Sequence, residues 1–199
     1  MLLHLNGCLL ASKGVVRIND IVVTRKSATH AQQMVGMIFQ DPDDQLFMST
    51  VAEDVAFGPL NMGLPSPEVE ARVNAALAKV GMAHLAERPP YRLSAGEKRA
   101  VAIATVLSME PDLLVMDEPS SFLDPRARRR LIELLQAFDK STIIATHDLL
   151  MVAETCSRVL VMEAGQIVAD GPMRKILSDT KLMQAHGLEL PPGFKFDQA

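Results

Sequence analysis

Two adjacent carboxylates follow a short apolar run near the middle of the chain. Asp117 and Glu118 come directly after residues 113–116, LLVM. An apolar run of this length is typical of a buried parallel strand. Carboxylates at the end of such a strand are suited to holding a metal ion and polarising a water molecule. The alternative is a buried strand followed by a charged turn, and the pair alone does not decide between the two.

A possible helix start precedes this pair at residues 93–97, LSAGE. Ser94 and Glu97 have the spacing of a capping box, which would simply start a helix. The same helix N-terminus, with exposed backbone N–H groups and Gly96 allowing close approach, is an anion site suited to phosphate. Taken alone, the capping box is the simpler interpretation. The basic pair that follows and the carboxylate pair further along favour the anion site.

Polar residues also end two other apolar runs. Gln40 follows residues 35–39, and His147 follows residues 142–146. Each has a plain structural interpretation, as a polar group satisfied within a loop or at the end of a strand. A functional interpretation of either residue depends on the family resemblance given below.

The composition is that of one globular domain. The chain has 199 residues, of which 48% are hydrophobic and 22% charged, enough for a sizeable core. A net charge of −4 gives no support for a nucleic-acid-binding surface. The arginine cluster within residues 126–130 is interpreted as a solvated helix face.

The cysteines and the apolar runs bear on the compartment. Cys8 and Cys156 have neither metal-ligand nor disulfide spacing, as in proteins of a reducing cytoplasm. No apolar run approaches the roughly 20 residues that span a bilayer, and the first residues do not resemble a signal peptide. We therefore expect a cytosolic protein that reaches a membrane only through a partner.

The hydrophobic periodicity predicts an α/β core that is interrupted by helices. Strands are predicted within residues 15–23 (two short strands), 35–39, 113–116 and 142–146, with a hairpin at residues 158–169. Helices are predicted at residues 1–10, 51–60, 67–80, 125–138 and 172–177, and residues 191–193 are expected to be poorly ordered. We expect residues 1–44 and 109–199 to form the core and residues 45–108 a helical subdomain within a single domain.

Residues 93–124 resemble the signature motif, Walker B motif and D-loop of an ATP-binding cassette (ABC) ATPase, in that family's order. The signature usually reads LSGGQ, from which Ala95 and Glu97 depart. The resemblance implies an α/β, P-loop NTPase-like (RecA-like) fold with a parallel-sheet core. It also implies ATP and Mg²⁺ as cofactors and a second ABC ATPase subunit as a partner.

The resemblance implies that one set of residues serves the nucleotide held by the opposite subunit of a dimer. Ser94 and Gly96 would contact the γ-phosphate of that ATP. Glu97 belongs to the same motif, and Asp124 lies in the D-loop, which couples the two sites. We therefore expect these four residues to be nucleotide-binding.

A second set would serve the nucleotide of the chain itself. Asp117 would support Mg²⁺ through water, and Glu118 would act as a base on the attacking water or orient it. His147 would sense the γ-phosphate and stabilise its developing charge. Gln40, in the Q-loop, would contact both Mg²⁺ and the nucleophilic water.

One expected motif is absent from the sequence. The 199 residues contain no G-x-x-x-x-G-K-[ST] run, whose backbone N–H groups and lysine hold the phosphates of ATP. The resemblance covers residues 1–178 and enters the family fold just after the Walker A lysine, as if N-terminally truncated. Three explanations are open: a shortened product or misplaced start, which the intact later motifs favour; a genuine short form; and a decayed relic. An in-frame G-x-x-x-x-G-K-[ST] run in the codons upstream of Met1 would support a misplaced start, and a stop codon directly upstream without that run would exclude it.

The segment FQDPDDQLFMSTVAEDVAFGPLNMGL resembles the Q-loop and following helices of energy-coupling-factor importers, especially the cobalt/nickel type. This implies a subunit on the cytoplasmic face of the cell membrane that energises uptake of a metal ion or vitamin. Transmembrane subunits would dock after Gln40, and no nucleic acid is expected. One alternative is a non-catalytic subunit that lends only its signature helix to a partner. Another, a soluble ABC ATPase of DNA repair, needs long coiled coils, for which residues 40–93 leave no room.

Overall fold

A computed structural model describes residues 1–189 of the chain. By contacts between its residues the chain divides into two compact units, Met1–Ala145 and a second that begins at Thr146. The first unit contains, in chain order, β1 (Arg17–Ile18), β2 (Ile21–Val22), α1 (Ala28–Met34), β3 (Val35–Ile38), α2 (Val51–Asn61), α3 (Ser66–Lys79), α4 (Ala95–Leu107), β4 (Leu113–Asp117), α5 (Pro125–Ala137) and β5 (Ser141–Ala145). The second contains α6 (Leu149–Thr155), β6 (Arg158–Glu163), β7 (Gln166–Pro172), α7 (Met173–Ser178) and α8 (Thr180–Ala185).

A three-stranded parallel sheet in the order β3-β4-β5 forms the centre of the first unit. All four residues of β3 are buried, and the middle of β4 is fully buried. Burial on both faces explains why these strands are continuous apolar runs rather than alternating ones. The predicted strands are therefore confirmed, and so are the strand pair formed by β1 and β2 and the crossover helix α5.

Helices α2, α3 and α4 pack on one another, and α4 also packs on β3. Helix α2 begins with a capping box between Thr50 and Glu53. The predicted helix at residues 67–80 corresponds to α3, and the apolar residues at helical spacing in α3 and at its C-cap are buried: Val69, Val73, Ala76, Leu77 and Val80. The contact between α4 and β3 is close because Gly36 has no side chain. An added Cβ there would lie 2.2 Å from Val106 Cγ1.

The second unit is built around the predicted hairpin, β6–β7, whose strands pair antiparallel. Ala164 and Gly165 at its tip have φ angles of 47° and 78°, the left-handed backbone that two-residue hairpin turns require. Helices α7 and α8 contact each other, and α7 contacts β7. A small apolar cluster of Val152, Leu177 and Met183 forms the core of this unit.

The prediction of a helix over residues 1–10 is wrong. Only Leu2–His4 forms a single 3₁₀ turn. Gly7 then adopts a φ of 74°, and the Cys8 N–H donates to Asn6 Oδ1 at 3.1 Å, so an Asx turn replaces the next helical turn. Leu2 is nevertheless buried in a cluster with residues of β1, β3 and β4.

Three short helices, α1, α6 and α8, were not predicted from the sequence. They have seven, seven and six residues, too few for the apolar periodicity to repeat clearly. Residues 191–193, expected to be poorly ordered, lie outside the described residues. Within residues 1–189 no helix is long and apolar enough to cross a membrane.

We predict that Gly36→Ala destabilises the first unit. The new Cβ would lie 2.2 Å from Val106 Cγ1 and 2.9 Å from Pro111 Cγ, and overpacking of this kind costs about 1–3 kcal/mol. Urea unfolding measures the change. Val106→Ala in the same chain should restore part of the loss. Gly171→Ala is the control, because its Cβ would meet Ile176 at an ordinary 3.5 Å; an equal loss in both variants would contradict the prediction.

Candidate functional site

Three of the predicted site residues lie at one edge of the parallel sheet. Asp117 is the last residue of β4, and Glu118 follows it. Gln40 comes two residues after β3, which pairs with β4 in the register Ile38↔Met116. Because parallel neighbours end at the same edge, the three residues share the edge at which α/β sheets bind ligands.

The backbone after β4 is held in an unusual conformation. Glu118 and Phe122 have φ angles of 44° and 63°, a left-handed region that costs residues other than glycine about 1–3 kcal/mol each. The Glu118 N–H donates to the carbonyl of Ala145 at 2.8 Å, and the Ser121 hydroxyl lies 3.4 Å from Glu118 Oε2. The first contact fixes the backbone of Glu118 beside the end of β5, and the second restrains its carboxylate. Strain of this sort is concentrated at functional sites.

The capping box predicted at the start of α4 is formed. The Ser94 Oγ accepts from the Glu97 N–H at 3.3 Å, and Glu97 Oε2 accepts from the Ser94 N–H at 2.8 Å. The hydrogen bond from the Ser94 backbone lowers the pKa of Glu97, so this carboxylate is ionised at neutral pH. Ser94 retains its hydroxyl proton as a donor. Helix geometry also leaves the N–H groups of Ala95 and Gly96 without an intrahelical acceptor.

Helix α5 begins next to the start of α4. Asp124 caps α5 by accepting from the N–H groups of Ala127 and Arg126 at 2.9 and 2.8 Å, and these bonds lower its pKa. A Cβ on Gly96 would lie 3.2 Å from the Cβ of Ala127. The glycine therefore allows the first turns of α4 and α5 to lie side by side.

An open cleft of about 660 Å³ lies at these two helix starts. Among the residues that line it are Ser94, Gly96, Glu97 and Asp124. The structure thus brings together all four residues predicted to bind nucleotide. Arg126 and Arg130, in the first and second turns of α5, line the same cleft. Part of the arginine cluster that was predicted to be a solvated helix face therefore contributes positive charge to the cleft. Two helix N-termini and two guanidinium groups favour an anion there, whereas the carboxylates of Glu97, Asp124 and Glu133 in the same lining oppose it.

The loop that begins at Gln40 is bound to α4. Arg99, which is only 2% exposed, donates to the carbonyl of Phe39 at 2.6 Å and to the carbonyl of Gln40. Lys98 pairs with Asp43 at 2.6 Å. The Gln45 side chain accepts from the Phe39 N–H and donates to Ala102 and Thr105 of α4. A groove of about 510 Å³ beside this loop is lined by Gln40, Arg99, Ser121 and Phe122, among others.

The contacts of Arg99 and Gln45 were not predicted from the sequence. Arg99 was considered only as the second residue of the basic pair that follows residues 93–97. A signal for Arg99 was present, because it shares helical spacing with Ala102 and Val106 on the buried face of α4. A charged residue on such a face is expected to have buried polar partners.

His147 belongs to the second unit. It lies two residues beyond the end of β5 and is exposed. The next residue, Asp148, caps α6 by accepting from the Met151 N–H at 2.9 Å. The predicted role of His147 toward a γ-phosphate stays a prediction.

The donors at the sheet edge fit Mg²⁺ in a particular way. Magnesium is usually held by one or two carboxylates, with water and substrate phosphates completing its six ligands. Asp117 supplies a carboxylate and Gln40 an amide oxygen at that edge, and among residues 1–189 no cluster of three or more His, Cys, Asp or Glu could hold an ion alone. The start of α4 fits a terminal phosphate. The 199 residues contain no G-x-x-x-x-G-K-[ST] loop to hold the phosphates of an ATP bound to the chain itself.

Comparison with known proteins defines the class. The family model described as ABC transporter matches residues 1–121. A Geobacter sulfurreducens protein whose name provisionally assigns it as an ABC transporter ATP-binding protein is 57% identical over 191 residues, covering 96% of this chain and 77% of the relative. The chain therefore belongs to the ABC ATPase family, whose members bind ATP and drive transport, and the predicted P-loop NTPase-like fold is confirmed.

Three further matches extend the comparison, and the first two of them are more specific. The energy-coupling factor transporter ATP-binding protein EcfA of Carboxydothermus hydrogenoformans is 45% identical over 194 residues, covering 96% of this chain and 72% of the relative. The structure of CbiO1 from Clostridium perfringens, part of the ABC transporter complex CbiONQ, has a TM-score of 0.79 at 37% identity, covering 95% of this chain and 78% of that one. A dimeric ATP-binding cassette, MJ0796 with ADP and phosphate, shares the fold with a TM-score of 0.77 at 22% identity, covering 87% and 79%.

We predict that Glu97→Gln removes a pH-dependent part of the stability. Hydrogen bonding lowers the folded-state pKa of Glu97 below its ordinary value of 4.5. The glutamate's contribution is therefore fully present above that value and is lost as the pH falls through the folded-state pKa. Gln keeps an oxygen for the Ser94 N–H but does not titrate. The free energy of unfolding of the native chain relative to Glu97→Gln should fall as the pH is lowered through and below the ordinary value of 4.5. A difference that stays constant over this range would contradict the prediction.

Proposed function

We propose that this chain is the ATP-binding and ATP-hydrolysing subunit of an importer, with nucleotide sites shared between two ATPase subunits. The observation that carries the proposal is the cleft at the starts of α4 and α5. Ser94, Gly96, Glu97 and Asp124 line it. Asp117 and Glu118, at the end of β4, are not among its lining residues. Two incomplete half-sites on one chain are the arrangement expected of a subunit that acts in pairs.

The cleft residues would bind the nucleotide of the partner ATPase subunit. The Ser94 hydroxyl and the N–H groups of Ala95 and Gly96 are donors at a helix start, where a terminal phosphate is favoured. Arg126 and Arg130 in the same cleft would add to the attraction. Asp124, anchored by its own helix cap, would set the position of the D-loop against the partner.

The sheet-edge residues would act on the nucleotide of the chain itself. Mg²⁺, when bound with ATP, neutralises phosphate charge and orients the leaving group. Asp117 would hold it through water, and Gln40 would contact it and the attacking water. Glu118 would orient that water and accept its proton as the new oxygen–phosphorus bond forms and the bond to ADP breaks. His147 would donate to the γ-phosphate.

A transmembrane partner would dock on an exposed apolar patch that follows the Gln40 loop. We define this docking patch as Phe47, Phe57 and Leu60, which are 63%, 41% and 55% exposed. The two phenylalanine rings are in edge-to-face contact, with centroids 5.0 Å apart. Clustered exposed aromatic residues mark interaction sites. Docking there would place the chain at the cytoplasmic face of the membrane as a peripheral subunit.

The transported substrate is proposed from the relatives. EcfA is named as an energy-coupling factor transporter protein and CbiO1 as part of the CbiONQ complex. Together with the resemblance of residues 39–64 to cobalt/nickel importers, this supports uptake of a metal ion, cobalt or nickel, or of a vitamin.

A second candidate function is supported by the same cleft at the starts of α4 and α5. In this candidate the chain lends only its signature helix to a partner's nucleotide site and hydrolyses nothing. Both candidates use the cleft. They differ in whether Glu118 activates water to hydrolyse an ATP that is bound to the chain itself.

Phosphate release from Mg-ATP by the purified chain distinguishes the candidates. If the first is correct, we predict that Glu118→Gln lowers kcat by about 10²–10⁴-fold, the size of a lost general base. Glu70→Gln, on the exposed side of α3, is the matched control and should leave turnover unchanged. No phosphate release by the chain alone, together with ATP-dependent pairing with an ATPase subunit that carries its own phosphate-binding loop, would support the second candidate. Neither turnover nor pairing with such a subunit would contradict both.

We also predict that Asp54 supports the docking patch. Its carboxylate is buried, and Oδ1 accepts from the N–H groups of Phe47 and Met48, each at 3.0 Å. Burial raises the pKa of Asp54, because removing the ionised carboxylate from water is unfavourable. Asp54→Ala leaves two N–H groups unsatisfied and should lower the free energy of unfolding by about 1–3 kcal/mol. Asp54→Asn keeps the acceptor and should lose less; equal losses for Ala and Asn would count against this role.

A further inference from the structure

A buried arginine connects the two half-sites of this chain. Arg99 lies on the buried face of α4, five residues after Ser94. It is 2% exposed, and its guanidinium donates to the carbonyls of Phe39 and Gln40. Burial lowers the pKa of the guanidinium, and the charge of Asp41 opposes this shift. The hydrogen bonds that Arg99 makes to Phe39 and Gln40 are to backbone atoms of the loop that leads out of β3, and its Nε is buried without a partner in the described part of the chain.

These two hydrogen bonds satisfy backbone carbonyls just beyond the end of β3, where hydrogen bonding to β4 has stopped. Strand β3 ends at Ile38, so the carbonyls of Phe39 and Gln40 lie beyond its ladder with β4. A charged donor makes stronger bonds to such carbonyls than a neutral one. Two bonds from one rigid fork also fix the direction of the peptide planes. The orientation in which Gln40 leaves the sheet is consequently set by a side chain of α4.

The neighbouring contacts are of two kinds. Gln45 accepts from the Phe39 N–H at 3.3 Å and donates to the Ala102 carbonyl at 2.8 Å, which holds the far end of the loop against α4. The pair between Lys98 and Asp43 is partly exposed, with side-chain exposures of 20% and 63%. Exposed pairs of this type contribute little because solvent screens them. Arg99 is the contact that reaches Gln40 itself.

We infer that Arg99 is a positioning residue for Gln40, and that it transmits displacement of the signature end of α4 to the Q-loop. The inference rests on the proposed roles of Ser94 and Gln40 in the two nucleotide half-sites. Five residues of helix span about 7.5 Å and behave as a stiff rod on this scale. A phosphate that engages Ser94 therefore acts, through Arg99, on the direction of Gln40. In this way the nucleotide bound to one subunit would influence the water-positioning group of the other.

Amide hydrogen exchange of the full chain without nucleotide tests the first half of the inference. Arg99→Met keeps an apolar stem but removes the donors, and should raise exchange of residues 39–46 by about tenfold, the factor expected when one good hydrogen bond is lost. Arg99→Lys keeps the cation without the fork and should give a smaller increase; it also serves if the Met variant does not fold. Lys98→Met is the matched control, with an increase below about threefold. Exchange of α3 should stay unchanged in all three.

Two results would overturn this half. One is loop exchange in Arg99→Met and Arg99→Lys equal to that of the native chain. The other is an equal rise in α3 and the loop, which would indicate a general structural role. Because no nucleotide is present, failure here is distinct from failure of the proposed function, which the phosphate-release measurement decides.

A double-variant comparison tests transmission. Ser94→Ala removes the cap and frays the first turn of α4. With Arg99 in place it should raise exchange of residues 39–46 by about threefold, whereas in the Arg99→Met chain it should add nothing, since interacting sites are not additive. An equal increase in both backgrounds, or no increase in the native one, would overturn transmission through Arg99.

Discussion

The parallel pairing of β3 with β4 is the constraint on which the rest of the first unit depends. It joins residues that are far apart in sequence, Val35 with Leu113 and Ile38 with Met116, and all of α2, α3 and α4 lies between them in the chain. Once the two strands are in register, Gln40 and Asp117 leave the sheet at the same edge. The intervening helices must then begin and end close together, and α4 returns across β3. Gly36 allows that return, because any side chain there would collide with Val106.

Much of this arrangement could be predicted from the sequence. Strands β3, β4 and β5 were predicted as short apolar runs; β3 and β4 are buried, whereas β5 is only partly buried. Helix α3 was predicted because apolar residues recur at helical spacing when one face is buried and the other solvated. The run of residues 1–10 misled because its apolar content follows a helical rhythm, whereas Leu2 is buried by contacts with β1, β3 and β4. Tertiary burial and helical periodicity give the same local pattern over so few residues, and only the fold distinguishes them.

The candidate site could be predicted only in part, for a related reason. The family resemblance placed Ser94, Gly96 and Asp124 in one functional set, and the cleft brings them together. The contacts that hold the set in place are of a different kind: Arg99 binds backbone carbonyls, and Gln45 binds a backbone N–H and a carbonyl. Backbone acceptors have no sequence signature, so partners of this kind are invisible to a search for complementary side chains. The buried position of Arg99 on α4 indicates that it needs partners, but not which ones.

The same residues that cap α4 and α5 set the charge of the cleft. Glu97 and Asp124 occupy first-turn N–H groups with ionised carboxylates, and hydrogen bonding to those groups lowers the pKa of both. Each cap therefore stabilises its helix while placing a negative charge where an anion would bind. A phosphate must rely on the donors that the caps leave over, the Ser94 hydroxyl and the N–H groups of Ala95 and Gly96, and on Arg126 and Arg130 to offset the two carboxylates. A glutamine at position 97 would form the same cap without the charge. With Glu97, anion binding at this cleft therefore depends more on the arginines of α5 than it would with the glutamine of the usual LSGGQ signature.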